Sequence, residues 1–579
     1  MGLLTKYTFE KVNLPESLTS GQLSAIPSPI LKILYKRGYK TEDSIKEMLY
    51  GNLEKSLSLT KMQDTEKALL ILRSAIKKKQ EIVIYQDYDV DGCSAGALCL
   101  EALRALGAKV ESYVNARELD GYGICKNGID RIQELHPDAR IIMTVDNGIV
   151  ANEAIQYAKS KGYTVIVTDH HLPGEVLPDA DAVIDPKRKD EIYPFHELCG
   201  TGVAFKLMLA LYDSMGRDVK PVMNTIDLVA LATVADVVPL IGENRDLVRE
   251  GLCLMNAGTR PAFRIMKELV EAKEINSQYT IGFQFAPMIN ALSRMGEDSY
   301  LATETLISQD EEFIRKNASF MQEVNKTRKD ETNRQLEIAE EMLRKEIGDT
   351  GEKRMKKKER IAALPSAIVL KSEEFTEGVV GIVAGRLKNE YNRPVVIFAS
   401  SGNGVLKASC RSIDAFPLKD KLDTISGLML GYGGHAKAAG LSIAEDQYEE
   451  FKKTFISMVD SLTESDFVEK VELDDVLSSD EVSVKLIQDL RLLEPYGEAW
   501  PSPLFGLVFH ADSVRFMGED DKHVKYWDRV SNLSVIEWNG GAAEKKRQEK
   551  NAPARSKVIG TLSLNEFNGS VSAQFIVRD

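Results

Sequence analysis

The chain has 579 residues, which is too many for one hydrophobic core and predicts roughly two to four domains. Its hydrophobic fraction of 43% is ordinary for a soluble globular protein, and its formal net charge of −14 argues against a protein that simply coats nucleic acid. The cysteines form no CxxC pair, which argues against a zinc ribbon, and no apolar run reaches the roughly 18 residues of a membrane span. Because the N-terminal sequence lacks a signal-peptide core, we expect a cytoplasmic protein.

An acidic turn lies between the first clear strand pattern and the helix pattern that follows it. The segment "EIVIY" is β-branched and predicts a buried strand, and "SAGALCLEALRAL" has the spacing of a helix. Between them, Asp87, Asp89 and Asp91 stand at alternate positions. A solvated turn is the plainest explanation. A calcium loop is a weaker one, because Leu98 occupies the twelfth position, where an EF-hand loop has Glu.

The same pattern of a strand followed by acids recurs twice along the chain. "ARIIMTVDNGI" predicts a strand that ends at Asp146, and "KGYTVIVTDHHLPG" predicts one that ends at Asp169, His170 and His171. Helix-like segments separate the strands, and this alternation predicts a parallel α/β sheet. The apolar, helix-like segment "IDLVALATVADVVPL" follows and contains Asp236.

The acids of these strands are expected to meet at one edge of the sheet, where parallel α/β sheets bind their ligands. Five or more carboxylates at one edge are electrostatically prohibitive without cations. Carboxylates with one or two imidazoles suit Mn²⁺ or Mg²⁺, and suit Zn²⁺ less because no cysteine ligand is offered. A carboxylate that bridges two ions about 4 Å apart is the arrangement of two-metal phosphoryl transfer, so the pattern predicts phosphate chemistry.

The remaining sequence predicts three further regions. Residues 309–346 contain no proline or glycine and are densely charged, which is typical of a long exposed helix. A strand–helix–strand pattern restarts near residue 362, and short strands with turns follow from about residue 466. The predicted domains are a parallel-sheet α/β domain with an N-terminal extension, a connector helix with a linker, a second α/β domain and a small β-barrel domain, over residues 1–308, 309–361, 362–462 and 463–579.

Several blocks of the sequence resemble phosphoesterase motifs. "DYDVDG", "TVDNG" and "TDHH", in that order, resemble the DHH phosphoesterase superfamily. Further blocks narrow the resemblance to the RecJ family of bacterial 5′→3′ single-strand DNA exonucleases: "YVNARELDGYGI", "ATVADVVPLIGENR", "FAPMINALSRMG", "EGVVGIVAGRL", "KASCRSI", "GYGGHAKAAGLSI" and "LEPYGEAWPSPLF". The resemblance runs from about residue 50 to 579 with every block in order, and it implies a DHH domain, a DHH-associated domain and a C-terminal OB-fold-like barrel.

The resemblance also implies roles for individual residues. The implied metal ligands are Asp87, Asp89, Asp146, His170 and Asp236, with Asp146 bridging two ions. The predicted catalytic residues are His171, which matches a contact to the scissile phosphate, Asp91 and Asp169. The residues predicted to bind the strand are Arg117, Asn290, Arg294, Arg386, Ser409, Arg411, Gly433, Gly434 and His435, of which the last five match the region that meets the 5′ end.

The implied function is a Mn²⁺- or Mg²⁺-dependent hydrolase that degrades single-stranded DNA from the 5′ end to 5′-mononucleotides in DNA repair and recombination. We expect a monomer that does not bind membranes and that works beside a single-strand-binding protein or a helicase. Two alternatives stay open. One is a DHH phosphodiesterase for short RNA or cyclic dinucleotides, which normally lacks the C-terminal module. The other is a non-catalytic DNA-binding scaffold, in which the acidic motifs are typically eroded.

Several residues depart from the family pattern, among them Leu292 and Ser293 in place of the usual Ala-Gly, and the segment "EEFTEG", which lacks the usual Trp-His. Tyr85 stands where some members have a histidine ligand, and Gln86 replaces a usual glycine, which predicts weaker binding at one metal site. Asp185 stands where the family often has asparagine. None of these departures removes a predicted ligand.

Overall fold

The computed structural model describes all residues except 1–4, 7–9, 19–20, 52, 58–60, 116–119, 350–354, 356, 403, 554, 568 and 579. The chain forms two compact units. The first unit comprises Lys40–Lys326 and Arg491–Ser502, and the second unit comprises Met1–Tyr39, Thr327–Leu490 and Pro503–Asp579. Each unit combines residues from more than one predicted domain, so the predicted boundaries stay predictions.

The first unit contains a five-stranded parallel sheet, as the sequence predicts. Its strands are β1 (Glu81–Gln86), β2 (Lys109–Val114), β3 (Ala139–Val145), β4 (Thr164–Thr168) and β5 (Ala182–Ile184), in the spatial order β2–β1–β3–β4–β5. Along β1, Ile82 and Ile84 pack into one buried apolar cluster, and Val83 and Tyr85 pack into another. Because both faces of the sheet are covered, its strands are continuous apolar runs in the sequence.

Helices build the rest of the first unit. They span Glu42–Tyr50, Leu53–Ser56, Thr65–Lys78, Val90–Ala105, Lys126–Leu135, Asn152–Ser160, Gly200–Ser214, Lys220–Met223, Ile226–Ala235, Gly242–Ala257, Pro261–Leu269, Ala286–Arg294 and Tyr300–Ile307. The segment Ser277–Phe285 is a π-helix that continues directly into helix Ala286–Arg294. π-Helices are rare and frequently occur at functional sites.

The predicted connector is one helix, Glu311–Glu346, which begins in the first unit and ends in the second. The second unit contains a five-stranded α/β sheet with strands β6 (Ile368–Ser372), β7 (Val395–Ser400), β8 (Val405–Arg411), β9 (Gly431–Gly434) and β10 (Ala438–Ala444), in the order β9–β10–β8–β7–β6. Only β6 and β7 pair in parallel. The helices of this unit span Ser28–Lys36, Lys357–Ala363, Val380–Tyr391, Leu418–Asp423, Tyr448–Val459, Val484–Leu490 and Gly541–Glu549.

The C-terminal part of the second unit is a seven-stranded mixed sheet. Its strands are β11 (Asp475–Ser478), β12 (Phe505–Val508), β13 (Ser513–Met517), β14 (His523–Asp528), β15 (Leu533–Glu537), β16 (Lys557–Phe567) and β17 (Ser570–Val577), in the order β11–β12–β16–β17–β15–β14–β13. The short strands Thr5–Lys6 and Glu469–Lys470 pair in parallel within the same unit. The sequence predicted short strands in this region, and the structure contains them. The sequence also predicted a barrel, but in the described part of the chain the edge strands β11 and β13 are not hydrogen-bonded to each other.

Candidate functional site

Acidic side chains gather where three neighbouring parallel strands end. Asp87 and Asp89 follow β1, Asp146 follows β3, and Asp169 follows β4 together with His170 and His171. Their ligand atoms form three overlapping groups, in each of which all atoms lie within 4.8 Å of one another: Asp87, Asp89 and Asp146; Asp146, His170 and His171; and Asp91, His170 and Asp236. The structure therefore brings together every predicted metal ligand, although their roles as ligands stay predictions.

The backbone around the first acidic turn is held by hydrogen bonds to Asp89. Its Oδ1 accepts from the N–H groups of Asp91 at 2.9 Å and Gly92 at 3.1 Å, so Asp89 caps helix Val90–Ala105. A Cβ atom at Gly92 would lie 2.4 Å from the carbonyl oxygen of Asp87. Because Gly92 has no side chain, helix Val90–Ala105 begins close to the end of β1. The carboxylates of Asp87 and Asp89 can therefore face the same space.

Asp146 adopts a left-handed backbone conformation with φ of 62°, which is uncommon outside glycine. Its N–H donates to the carbonyl oxygen of Thr168 at 3.0 Å. The next residue, Asn147, donates from Nδ2 to the carbonyl oxygens of Tyr85 at 3.0 Å and Val145 at 2.9 Å. These bonds tie the turn after β3 to both neighbouring strands and fix the direction of the Asp146 carboxylate.

The predicted catalytic residue Asp91 anchors a helix. Its two carboxylate oxygens accept from the N–H groups of Gly200 at 2.6 Å and Thr201 at 2.7 Å, at the start of helix Gly200–Ser214. The hydroxyl of Thr201 also donates to Asp91 at 2.6 Å. These are the contacts of a residue that positions the helix beside Asp146, and a direct catalytic role for Asp91 stays a prediction.

The buried cluster has polar atoms that lack a hydrogen bond. Both ring nitrogens of His170 and Oδ1 of Asp146 are buried without such a partner among the described residues. His170 Nε2 lies 3.2 Å from Asp146 Oδ1 and 3.5 Å from Asp236 Oδ2, so these atoms converge without bonding. Buried polar atoms nearly always have a hydrogen-bond partner. These atoms have none among the described residues, which indicates that a positively charged group belongs between them.

The charges of the cluster lead to the same conclusion. Burial, followed by repulsion from Asp91 and Asp89, raises the pKa of Asp146 and of Asp236 well above the usual carboxyl range. Burial lowers the pKa of His170 to about 4, so its imidazole is neutral near pH 7 and offers a lone pair. Carboxylates together with a neutral imidazole fit a hard or borderline divalent cation. The residues present therefore fit a divalent metal ion.

His171 is protonated, unlike His170, because its Nδ1 donates a hydrogen bond to Asp169. Nδ1 of His171 lies 2.7 Å from Oδ1 of Asp169. Burial alone would lower the pKa of His171, but this hydrogen bond and the negative charge of Asp169 raise it to about 9. The pKa of Asp169 is lowered although burial opposes the shift, because His171 donates to it. His171 is thus a cation at the rim of the cluster.

Tyr122 belongs to the site, although sequence reasoning did not single it out. Its hydroxyl donates to the carbonyl oxygen of Asp146 at 3.0 Å and lies 3.1 Å from Nδ1 of His171. The residue is 47% exposed, so part of its ring is open to solvent at the rim of the site. The only sequence signal is its place between Gly121 and Gly123, which both adopt positive φ.

Tyr85, Gln86 and Asp185, which depart from the family pattern, each make hydrogen bonds inside the first unit. The Tyr85 hydroxyl donates to Asn115 inside the fold. Gln86 donates to Thr303 at 2.7 Å and accepts from Ser112 at 2.7 Å. Asp185 is buried, accepts from the N–H of Lys187 at 2.7 Å, and has its pKa raised to about 8 by burial and then by Asp169.

The predicted strand-binding residues fall into both units. In the first unit, Oδ1 of Asn290 accepts from the N–H of Val90 at 3.1 Å, which places it beside the acidic turn, and Arg294 ends the same helix. Arg117 lies outside the described residues. In the second unit, Arg386 donates to Asn333 at 2.7 Å.

The other predicted strand-binding residues of the second unit share one region of its α/β sheet. Gly433 on β9 pairs with Gly440 on β10, which pairs with Ser409 on β8, so these three residues form one row across the sheet. Arg411 donates to Ser409 at 3.1 Å. Gly434, whose φ is 141°, ends β9, and His435 follows in the turn to β10 and donates from its N–H to the carbonyl of Ala438 at 2.8 Å.

Comparisons with known proteins match this arrangement over almost the whole chain. A family model described as the DHH family, N-terminal domain, matches residues 81–233, a DHHA1 domain model matches residues 364–461, and a RecJ OB domain model matches residues 473–579. The chain is 33% identical to the single-stranded-DNA-specific exonuclease RecJ of Escherichia coli K12, over 96% of each chain. The chain belongs to the RecJ family. The Bacillus subtilis RecJ is 32% identical over 97% of this chain and 69% of its own.

Solved RecJ structures show the same fold. The structure of Thermus thermophilus RecJ in complex with Mn²⁺ has a TM-score of 0.80 and 28% identity, and it covers 100% of this chain and 80% of that chain. The structure of the same RecJ with Mg²⁺ has a TM-score of 0.74 and 26% identity, over 99% and 78%. These RecJ structures confirm the predicted fold class. Within the described residues, no helix is both long and apolar enough to cross a membrane.

Proposed function

We propose that this chain is a metal-dependent exonuclease that hydrolyses single-stranded DNA from the 5′ end to 5′-mononucleotides, in DNA repair and recombination. The observation that carries the proposal is the buried cluster of carboxylates and histidines at the strand ends, in a chain that matches E. coli RecJ over 96% of its length. The cofactor is Mn²⁺ or Mg²⁺, the ions named with the T. thermophilus RecJ structures.

The residues that would hold the metal ions are Asp87, Asp89, Asp146, His170 and Asp236. Divalent ions held there would supply a more acidic water and neutralise charge on the phosphodiester. His171 holds a phosphate oxygen through its charged imidazole, because Asp169 keeps it protonated. Tyr122 fixes the position of His171 and of the backbone at Asp146, and Asp91 positions helix Gly200–Ser214.

The proposed polarity rests on the second unit. Arg411 and Ser409 lie on β8, and the exposed glycines 433 and 434 lie on β9, which β10 separates from β8 in the sheet order. A guanidinium together with backbone that glycine leaves open to an anion suits a terminal phosphate. We include in the proposal that the protein acts as a cytoplasmic monomer and meets its strand through a helicase or a single-strand-binding protein.

The direct test uses purified full-length protein with Mn²⁺ on single strands labelled at the 5′ or the 3′ end, on duplexes and on dinucleotides. We expect 5′-labelled strands to release labelled mononucleotide first, and duplexes and EDTA-treated samples to stay intact. An Asp236→Asn variant should be inactive, whereas Asp179→Asn, at a side chain 77% exposed, should act like the wild type and exclude a contaminating nuclease. Cleavage of dinucleotides without cleavage of single strands would instead favour the short-substrate phosphodiesterase.

A further inference from the structure

One accessible stripe runs along the helical segment that ends beside the acidic turn. Within Ser277–Phe285 and the following Ala286–Arg294, the residues that are not fully buried include Tyr279, Phe283, Pro287, Asn290 and Arg294. They are spaced four, four, three and four residues apart, which is the periodicity of one helical face. The stripe therefore presents two aromatic rings at one end, and an amide and a guanidinium at the other.

The aromatic end of the stripe is open to solvent. Tyr279 is 63% exposed and Phe283 is 67% exposed, whereas most aromatic side chains of the first unit are buried or half-buried. Their ring centroids lie 6.5 Å apart with the rings tilted by 36°. That separation is about twice the 3.4 Å rise between nucleotides of one strand, so each ring has room for its own base.

The polar end of the stripe is tied to the candidate metal centre. Asn290 accepts from the N–H of Val90, the residue directly after Asp89. From Tyr279 to Asn290 the stripe is about 16 Å long at the helical rise of 1.5 Å per residue. At stacked spacing this is about five nucleotides, and fewer in an extended strand. A strand held at the metal centre is thus long enough to reach both rings.

We propose that Tyr279 and Phe283 form a base-stacking subsite for single-stranded DNA, which continues from Asn290 away from the metal centre. The proposal rests on the proposed exonuclease function. Base stacking on exposed aromatic rings is tolerant of sequence, because every base has a π-face. The occupant is the substrate strand because the stripe is continuous with the centre that cuts it. The π-helix supports a functional role for this segment, since the bond from the N–H of Ile281 to the carbonyl of Asn276 spans five residues.

The test measures binding of full-length protein to DNA in EDTA, so that strands stay intact. The probes are oligothymidylates of about 4 and about 20 nucleotides, and a strand of about 20 abasic nucleotides. The double variant Tyr279→Ala/Phe283→Ala should bind the long strand about a hundredfold more weakly, or about tenfold per ring, with a far smaller loss on the short strand. The abasic strand should bind both proteins alike.

Two control variants separate stacking from general damage. Tyr279→Phe/Phe283→Tyr keeps both rings and should bind the long strand within about twofold of the wild type. Tyr50→Ala removes a tyrosine of the same unit that is also 63% exposed, and should leave binding unchanged. Equal binding of the long strand by the wild type and the double alanine variant would overturn the proposal. The proposal would also be overturned if the double alanine variant lost as much affinity for the abasic strand as for the long strand. A change in its oligomeric state without a change in DNA binding would overturn it as well.

A parallel assay of wild-type hydrolysis in Mn²⁺ keeps the two proposals apart. If the wild type degrades single strands and the double alanine variant binds them normally, only the stacking subsite is refuted. If the wild type neither binds nor degrades single strands, the proposed function fails, and the subsite fails with it.

Discussion

Nε2 of His170 lies 3.2 Å from Oδ1 of Asp146, and neither atom makes a hydrogen bond to a described residue. The two side chains come from turns after neighbouring strands β3 and β4. A neutral imidazole and a carboxylate that converge without a hydrogen bond leave room for a third group between them. A cation fits that place, because each further neighbour in ligand range is another carboxylate or His171.

The metal-free protein should lose stability as pH rises, because the folded state raises the pKa of Asp146 and Asp236. A raised carboxyl pKa stabilises the fold fully below the unfolded value of about 3.9, and this contribution is lost as pH rises through the folded pKa. Bound Mn²⁺ offsets the repulsion of the ionised carboxylates. We therefore expect the increase in Tm caused by Mn²⁺ to grow between about pH 5 and 8.

Thermal unfolding in Mn²⁺ and in EDTA, at each pH, measures this difference directly. Using the difference removes the effect of carboxylates elsewhere in the chain, which titrate in both samples. An increase in Tm that is the same at every pH would contradict the buried carboxylate cluster as the binding site.

The charge of His171 should depend on Asp169. The wild-type pKa of about 9 results from the 2.7 Å hydrogen bond to Asp169, which overcomes the effect of burial. In Asp169→Asn, we expect the pKa of His171 in the metal-free protein to fall well below its wild-type value, because only the charges of Asp236 and Asp89 then oppose burial. NMR titration of the imidazole protons measures it, with the 80% exposed His510 as an internal reference. A His171 pKa that stays near 9 in the variant would refute the pairing.

Sequence reasoning predicted the parts of the site that depend on local patterns. Asp87, Asp146 and Asp169 each follow an apolar strand directly, and the ends of parallel strands must share one edge. Asp236 follows a helix, Ile226–Ala235, so its arrival at the same edge depends on how that helix packs. Its assignment came only from the resemblance. Tyr122 carries no periodic signal, because it lies between two glycines in a turn.

Long-range packing explains what the sequence did not predict about the C-terminal part. Residues 491–502 lie in the first unit, although they come from the segment 463–579 whose domain boundaries stay a prediction. The buried guanidinium of Arg245 donates to the carbonyls of Leu493 and Glu494 at 2.8 Å, and to that of Pro495. The N–H of Leu240 donates to the carbonyl of Glu498 at 2.8 Å. Contacts between residues about 250 positions apart in the chain leave no local pattern in the sequence.

Arg411 should set the preference for a 5′-phosphate. Arg411→Ala should lose about tenfold or more of the preference for phosphorylated over hydroxyl 5′ ends, because a charge-assisted hydrogen bond is removed. Basal hydrolysis of hydroxyl ends should fall less. The comparison of kcat/KM on both ends measures the effect, with Arg334→Ala as control, since Arg334 is an exposed arginine of the same unit that pairs with Glu374. Equal losses on both ends would count against the 5′-end assignment.

The C-terminal sheet should contribute to binding of long strands. A truncation that removes residues 503–579 but keeps the 491–502 segment of the first unit is the suitable variant. It should bind long single strands more weakly and show a flatter salt dependence, by about 0.7 in slope for each phosphate that the sheet neutralises in the full-length protein. Dinucleotide cleavage, measured on the same preparation, should change far less. Unchanged affinity and slope would show that this sheet does not bind the strand.

The expected change in salt slope is modest, because three basic side chains beside this sheet already form ion pairs. Lys545 lies 2.7 Å from Asp521, Arg547 lies 3.3 Å from Glu544, and Arg555 lies 2.6 Å from Glu537. Each pair cancels the charge that a phosphate would meet. The sheet therefore neutralises fewer phosphates than its lysine and arginine content indicates.

The most direct test of the central claim is calorimetric titration of Mn²⁺ near neutral pH into the wild type, Asp146→Asn and Asp179→Asn. Asparagine suits this test better than alanine because it tolerates the left-handed backbone of Asp146. We expect about two ions per chain in the wild type and in Asp179→Asn. In Asp146→Asn we expect at least one ion to be lost, cleavage to fall more than about a hundredfold, and the metal-free Tm to stay or rise. Wild-type Mn²⁺ binding and turnover in Asp146→Asn would contradict the two-metal centre.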